Sequence, residues 1–145
     1  MRAFLICPVR GKTIEDYAAY VEQIESLGFK LHYPHRDTNQ QDQTGTGYRI
    51  CQDNRAAIEA ADVVFIVWDG ESQGCLFDLG VAFALRKRIV PLSLPEPTGK
   101  KSFQNMINYM NEQQVEHDDD VLFEKLQNAD EEPDLKDLYL AFGEY

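Results

Sequence analysis

The chain has 145 residues, of which 43% are hydrophobic, enough for one compact domain with a sizeable core. Its net charge of −11 argues against a nucleic acid polymer as a partner, because contacts with phosphates need clustered Lys and Arg. No apolar run approaches the roughly 18 residues of a transmembrane helix, and the first residues resemble a strand rather than a signal peptide. We therefore expect a cytoplasmic protein with no membrane partner.

The three cysteines, Cys7, Cys51 and Cys75, are odd in number and have no C-x-x-C spacing. This pattern indicates free thiols in a reducing compartment rather than disulfides or a zinc site. The few histidines form no spacing typical of a metal site. We expect neither a metal nor a cofactor.

The first predicted element is a buried strand over residues 2–8, an apolar run that ends at a proline. A helix is predicted over residues 13–27, where apolar side chains recur at helical spacing. Thr13 and Asp16 form a capping pair at its start, and Gly28 is a stop signal at its end.

A second strand is predicted over residues 29–33. The polar segment 35–47 contains two glycines and no apolar residue, so it predicts a long loop, which in a compact domain is usually functional or mobile. His32 and His35 lie at the end of the strand, where they either contact a ligand or simply fill that edge of the sheet.

The remaining elements continue the alternation of strands and helices. They are a helix over 48–60, an almost wholly apolar strand over 62–68, a helix over 75–85, a strand over 88–92 and a helix over 102–113. This order predicts an α/β fold with a doubly wound parallel sheet, flanking helices and a single domain. Ligands bind such sheets at the carboxyl ends of the strands, where the loops 8–13, 35–47 and 69–75 would meet.

The acidic residues are concentrated near the C-terminus. We assign residues 1–115 to the α/β domain and residues 116–145 to an acidic tail. Apolar residues on either side of Pro133 predict two short amphipathic helices in this tail. Such stripes more often pack on their own domain or on a sister subunit than on a foreign partner.

Residues 69–85, DGESQGCLFDLGVAFAL, are the most informative stretch of the chain. Asp78 lies there between Phe77 and Leu79, on an apolar helix that follows a buried strand. A carboxylate at a strand-to-helix crossover, beside small residues that let a ligand approach, suits a nucleophile or a group that binds ribose. It could also cap the helix without taking part in chemistry.

Three segments, FLICPVRG (4–11), CQDNRAAIEAADVVFIV (51–67) and ESQGCLFDLGVAFAL (71–85), carry a family resemblance. Together they resemble the nucleoside 2-deoxyribosyltransferase family, including its nucleotide N-glycosidase branch. The last segment is similar to the family pattern Gly-x-x-x-Glu-Leu-Gly-x-Ala. The resemblance implies a flavodoxin-like sheet, a homo-oligomer and a small-molecule substrate. It also implies cleavage or transfer of the N-glycosidic bond of a nucleoside or its 5′-monophosphate.

The resemblance also implies roles for individual residues. Asp78 matches the nucleophilic carboxylate, which attacks or stabilises an oxocarbenium-like centre. Asp53 matches the acidic residue that assists the base or orients the sugar, although Asp53 is equally readable as surface charge. Arg10 and Gly11 match a loop that receives a 5′-phosphate in the nucleotide branch.

Ser72 lies six residues before Asp78, where the same branch places a serine that contacts the phosphate. The backbone N–H groups at Gly74 and the helix start would complete an anion pocket with Arg10.

The sequence departs from the family pattern at three of its site positions. Asp78 stands where the family has Glu, and a displacement of about 1 Å can lower a rate about a hundredfold. Phe4 stands where the family often has Tyr, and Pro8 stands where the nucleotide branch has Ser. These departures favour an alternative function, a catalytically weak or inactive nucleotide-binding sensor of the same fold.

Overall fold

The computed structural model describes residues 1–41 and 44–117, with side chains as far as residue 113. The strands are β1 (Arg2–Ile6), β2 (Lys30–His32), β3 (Val63–Val67) and β4 (Arg88–Ser93). The α-helices are α1 (Ala18–Ser26), α2 (Pro34–Asp37), α3 (Tyr48–Ala60), α4 (Gln73–Ala84) and α5 (Phe103–His117), and a 3-10 helix over Ile14–Tyr17 precedes α1.

The four strands form one parallel sheet in the order β2-β1-β3-β4. The chain moves outward from β1 to β2 and then returns to add β3 on the other side of β1. This is the strand order of a flavodoxin-like fold, and its switch point lies between β1 and β3. The predicted fold class, a flavodoxin-like α/β sheet with flanking helices in a single domain, is confirmed.

The core consists of two layers, one on each face of the sheet. Successive side chains of a strand point to opposite faces. Ala3 and Leu5 therefore face the layer that contains α1, whereas Phe4 and Ile6 face the layer that contains α3, α4 and α5. All four of these side chains are buried. The sheet is thus covered on both faces, as the apolar run of β3 predicts.

The predicted helix over 13–27 is divided in the structure. Its first turn is the 3-10 helix, in which Asp16 N–H donates to the Thr13 carbonyl at 3.2 Å. The predicted capping pair is present, because the Asp16 carboxylate accepts a hydrogen bond from Thr13 N–H at 2.8 Å. Short 3-10 turns are frequent at helix starts, and hydrophobic periodicity does not distinguish them from α-helix. Gly28 follows the helix with a φ of +94°, as a C-terminal stop requires.

The prediction of one uninterrupted loop over 35–47 is wrong at its start. α2 occupies Pro34–Asp37, and the Asp37 carboxylate accepts a hydrogen bond from Tyr33 N–H at 2.8 Å. A proline at the first helical position has a preset φ, and an acidic residue in the first turn satisfies a free N–H.

Most of the predicted acidic tail, 116–145, lies outside the described residues. Its first two residues continue α5, which extends beyond the predicted end at 113. The boundary at 115 stays a prediction. Among the described residues, no helix is long and apolar enough to cross a membrane.

Phe4 offers a direct test of the core. Its side chain is fully buried and stacks on the His32 ring, with ring centroids 5.4 Å apart. We expect Phe4→Ala to lower the free energy of unfolding by about 3–5 kcal/mol, because it removes a large buried side chain and leaves a cavity. Urea unfolding measures the change. Tyr48→Ala is the control, since Tyr48 is 66% exposed, and a change above about 0.5 kcal/mol is not expected there.

Candidate functional site

A cleft of about 830 Å³ opens at the carboxyl ends of β1 and β3, the switch point of the sheet. The segments after these strands form two of its walls, and the first half of α3 forms a third. The lining residues are Cys7, Pro8, Val9, Arg10, Pro34, Gln40, Ile50, Cys51, Asn54, Asp69, Glu71, Ser72, Gln73, Gly74, Cys75, Phe77 and Asp78. The loops that the sequence predicts to meet at one edge do meet there.

Asp78 lies in the first half of α4 with its carboxyl group in this cleft. Burial raises the pKa of the carboxyl from the usual 3.8 to about 7, and a hydrogen bond from Asn54 partly offsets that rise. The bond is long, with 3.4 Å between Asn54 Nδ2 and Asp78 Oδ2. Asp78 therefore titrates near neutral pH and is an ionised carboxylate above it.

Three thiols lie around this carboxyl group. Cys7 and Cys75 are buried, and Cys51 is partly buried on α3. Burial raises the pKa of each thiol, and the negative charge of Asp78 raises it further. The thiols are therefore protonated at neutral pH, so they are poor nucleophiles beside Asp78.

Asn54, which no sequence motif singles out, is the residue whose side chain contacts Asp78. It is only 6% exposed, and its Oδ1 accepts a hydrogen bond from the Thr38 hydroxyl at 2.7 Å. Asp53 is exposed and does not line the cleft. Successive side chains on a helix point about 100° apart, so only one of the two neighbours can face Asp78. Asn54 rather than Asp53 therefore contacts Asp78 within the described residues, and the assisting role of Asp53 stays a prediction.

A sequence signal for Asn54 does exist. Ile50, Asn54 and Ile58 recur at intervals of four residues, so they share one face of α3. Asn54 and Ile58 are buried. A polar residue on the apolar stripe of a helix is a better candidate for a site than its exposed charged neighbour.

Phe4 and Gly11 also lie outside the cleft lining. Phe4 is one of the best-buried residues of the core, and its contact is with His32 rather than with the cleft. Gly11 has a φ of +76° in a turn closed by Lys12 N–H and the Val9 carbonyl at 3.1 Å. It shapes the loop that presents Arg10.

Four residues that the family resemblance places at the site, Pro8, Arg10, Ser72 and Gly74, line the cleft. Their role in binding a phosphate stays a prediction. Ser72 caps α4, since its Oγ accepts a hydrogen bond from Cys75 N–H at 3.3 Å. The N–H of Ser72 itself donates to the carboxylate of Asp69 at 2.8 Å. Part of the donor capacity of this loop is therefore already used within the protein.

The charges of the cleft are mainly negative. Among its described lining residues, Arg10 is the one cation, against Asp69, Glu71 and Asp78. Hydrogen bonds from the N–H groups of Ser72 and Glu71 lower the pKa of Asp69, so this carboxyl is ionised at neutral pH. Such a balance suits a neutral polar ligand better than a dianion.

Within residues 1–41 and 44–117, no three His, Cys, Asp or Glu side chains are grouped so that they could hold a metal ion. The described lining of the cleft therefore offers carboxyl, amide, thiol, hydroxyl and guanidinium groups for chemistry.

The chain and its fold are similar to known proteins. A family model described as nucleoside 2-deoxyribosyltransferase matches residues 4–110. Among solved structures, the fold is similar to a 2-deoxyribosyltransferase from the psychrotolerant bacterium Bacillus psychrosaccharolyticus, with a TM-score of 0.59 and 18% sequence identity over 76% of this chain and 82% of that chain. No curated protein sequence matches the chain.

Proposed function

The chain belongs to the nucleoside 2-deoxyribosyltransferase family, and from that premise we propose that it cleaves or transfers the N-glycosidic bond of a nucleoside. The observation that carries this proposal is the placement of Asp78. Its carboxyl group lies in the cleft at the switch point, with one oxygen within reach of the Asn54 amide. This places a titratable carboxyl group where a ligand of a parallel sheet binds.

In the proposed reaction, the ionised carboxylate of Asp78 attacks the anomeric carbon of the sugar. The bond from that carbon to the base breaks, its electron pair leaves with the base, and the base takes up a proton from water. A glycosyl ester of Asp78 remains, and a second base or a water molecule then displaces the carboxylate. Asn54 donates to Oδ2, which leaves Oδ1 as the attacking oxygen.

We further propose that the preferred substrate is an unphosphorylated nucleoside. A 5′-phosphate carries roughly two negative charges. It would place them in a cleft whose described lining has one cation and three carboxyl groups. The hydroxyl groups of a sugar make no such demand, because they donate to carboxylates and accept from amides.

Glu71 tests this charge argument. We expect Glu71→Gln to lower the KM for a 5′-monophosphate about two- to fivefold and to leave the KM for the nucleoside unchanged, because it removes one exposed negative charge from the cleft. Steady-state kinetics with both substrates measures the difference. Glu59→Gln is the matched control, as Glu59 is exposed on α3 and does not line the cleft. Equal changes for the two substrates would count against the argument.

The experiment that tests the function is a panel of 2′-deoxynucleosides, ribonucleosides and 5′-monophosphates, with free base measured by chromatography at pH 8. A second base added to the mixture separates transfer from hydrolysis. We expect release from nucleosides, and its loss in Asp78→Asn. Preferential release from 5′-monophosphates would overturn the proposed substrate class. Binding of nucleosides without any release of free base would contradict an enzymatic function and support the alternative, a nucleotide-binding sensor.

We also propose that the protein is a homo-oligomer. The aromatic rings of Phe77 and Phe83 on α4 are 56% and 58% exposed. A helix that is apolar on all its faces is normally covered. Phe77 also lines the cleft, so a second copy packed on this face would lie beside the site. Light scattering coupled to size exclusion measures the mass, and a monomer at all accessible concentrations would contradict the proposal.

A further inference from the structure

We propose that His32 and Thr38 are positioning residues for Asp78, which act on it through Asn54, and that the hydrogen bonds joining the four side chains reverse direction when Asp78 takes up a proton. This inference rests on the proposed function for its consequence in catalysis. The hydrogen bonds themselves are features of the fold.

With Oδ1 of the Asn54 amide facing Thr38, the direction of the other bonds follows from counting hydrogens. His32 Nε2 lies 2.7 Å from Thr38 Oγ1, and Thr38 Oγ1 donates to Asn54 Oδ1 at 2.7 Å. A threonine hydroxyl has one hydrogen, which is used on Asn54. Its oxygen must therefore accept the bond from His32, so the imidazole carries a hydrogen on Nε2. Donation then runs from His32 through Thr38 and Asn54 to Asp78.

The hydrogen bond from Thr38 determines which atom of the Asn54 amide faces Asp78. With Oδ1 held by Thr38, Nδ2 is the atom that remains for Asp78. An N–H directed at a carboxyl group favours its ionised form. Thr38 and Asn54 are both at least 94% buried, since their exposed fractions are 5% and 6%. Water therefore offers little substitute for a lost partner.

The same four side chains satisfy one another in the opposite direction. A protonated Asp78 donates to Oδ1 of a turned Asn54 amide, and Nδ2 then donates to Thr38. The Thr38 hydroxyl donates in turn to Nε2 of His32, whose hydrogen now lies on Nδ1. Burial lowers the pKa of His32, so the neutral imidazole that both arrangements use prevails near pH 7. One proton is taken up in total, at Asp78.

Other titratable groups surround both ends of this chain of bonds. Those around Asp78 are the thiols of Cys7, Cys51 and Cys75. Those around His32 are Arg36, Asp37 and Asp53. The thiols are protonated at neutral pH, and Asp37 is held ionised by hydrogen bonds from Arg36 and from Tyr33 N–H, which lower its pKa. The three thiols, Arg36 and Asp37 keep their charges between pH 6.5 and 8.5. Asp78 is therefore the group in this chain of hydrogen bonds whose titration drives the reversal.

The first test determines which ring nitrogen of His32 carries the hydrogen. Nitrogen NMR of the full chain with labelled histidine measures this as a function of pH. We expect the hydrogen to move from Nδ1 to Nε2 as the pH rises from 6.5 to 8.5, and not to move in Asp78→Asn. His32→Phe assigns the signal and retains a ring against Phe4. A His32 ring with one unchanged tautomer over this range, or the same movement in Asp78→Asn, would overturn the inference. The measurement needs no turnover, so it is readable even if no base is released.

The second test is Thr38→Val, which has nearly the same shape as Thr38 and lacks the hydroxyl. We expect the pH midpoint of base release to rise by about one unit, because Asn54 is no longer held with its N–H toward Asp78. Thr38→Ser should restore the midpoint. Thr46 is exposed in the loop just before α3, and Thr46→Val, the matched control, should leave the midpoint unchanged. An unchanged midpoint in folded Thr38→Val would overturn the positioning role.

Discussion

Asp78→Asn is expected to lower base release at least about a thousandfold, because it removes the only group in the proposed reaction that bonds to the sugar. Asparagine has nearly the same shape and keeps a hydrogen-bonding partner for Asn54. The expected loss is therefore in the chemical step, visible in kcat, rather than in binding. Chromatography of free base measures the rate, and calorimetry of nucleoside binding is the control.

The same substitution is expected to stabilise the protein at pH 8. The Asp78 pKa is about 7 in the folded chain against a usual 3.8, so burial disfavours the charged form. Between these values the folded state holds more protons than the unfolded state, and stability falls as the pH rises. A difference of about three units corresponds to at most about 4 kcal/mol, at about 1.36 kcal/mol per unit.

Urea unfolding at several pH values tests this sign. Asp78→Asn should match the unsubstituted protein near pH 4 and exceed it in stability at pH 8, because the penalty of the buried charge is fully present only above the folded pKa. Loss of activity together with a gain in stability separates a functional carboxyl from a structural one. A variant that is less stable than the unsubstituted protein at pH 8 would contradict the burial of the Asp78 carboxyl group.

The second large effect expected is a fall in kcat/KM at acidic pH. Only the ionised carboxylate attacks, so below the Asp78 pKa of about 7 the rate should fall about tenfold for each pH unit, or about a hundredfold at pH 5. Circular dichroism at each pH shows whether the fold persists. Protonation of Asp78 removes a buried charge, so acid inactivation in this range should be reversible and should not follow unfolding. A rate that is constant from pH 5 to 8 would contradict the role of Asp78.

Much of the fold follows from local patterns in the sequence. The helix predicted over 48–60 has the bounds of α3. The parallel sheet also follows, since strands that alternate with helices are joined by right-handed crossovers. The flavodoxin-like order of the strands follows from the family resemblance instead. The short helix α2 was missed because a four-residue helix has no periodicity to detect, although Pro34 marks its start.

The site was predictable only in part. Asp78 stands out because it interrupts an apolar helix, whereas Pro8, Arg10, Ser72 and Gly74 follow only from the family resemblance of the segments that contain them. Whether Asp53 or Asn54 faces Asp78 depends on the rotation of α3 about its axis. The apolar positions of the helix indicate this rotation, whereas a short motif does not. The contact of Thr38 with Asn54 joins a loop to a helix 16 residues away, and no local pattern encodes it.

The most direct test of the central claim is mass spectrometry of the protein quenched with acid during turnover of a 2′-deoxynucleoside at pH 8. We expect an added mass of one deoxyribosyl group, located by proteolysis to the peptide that contains Asp78 and absent from Asp78→Asn. The same added mass on a different side chain, with base release continuing in Asp78→Asn, would contradict the account.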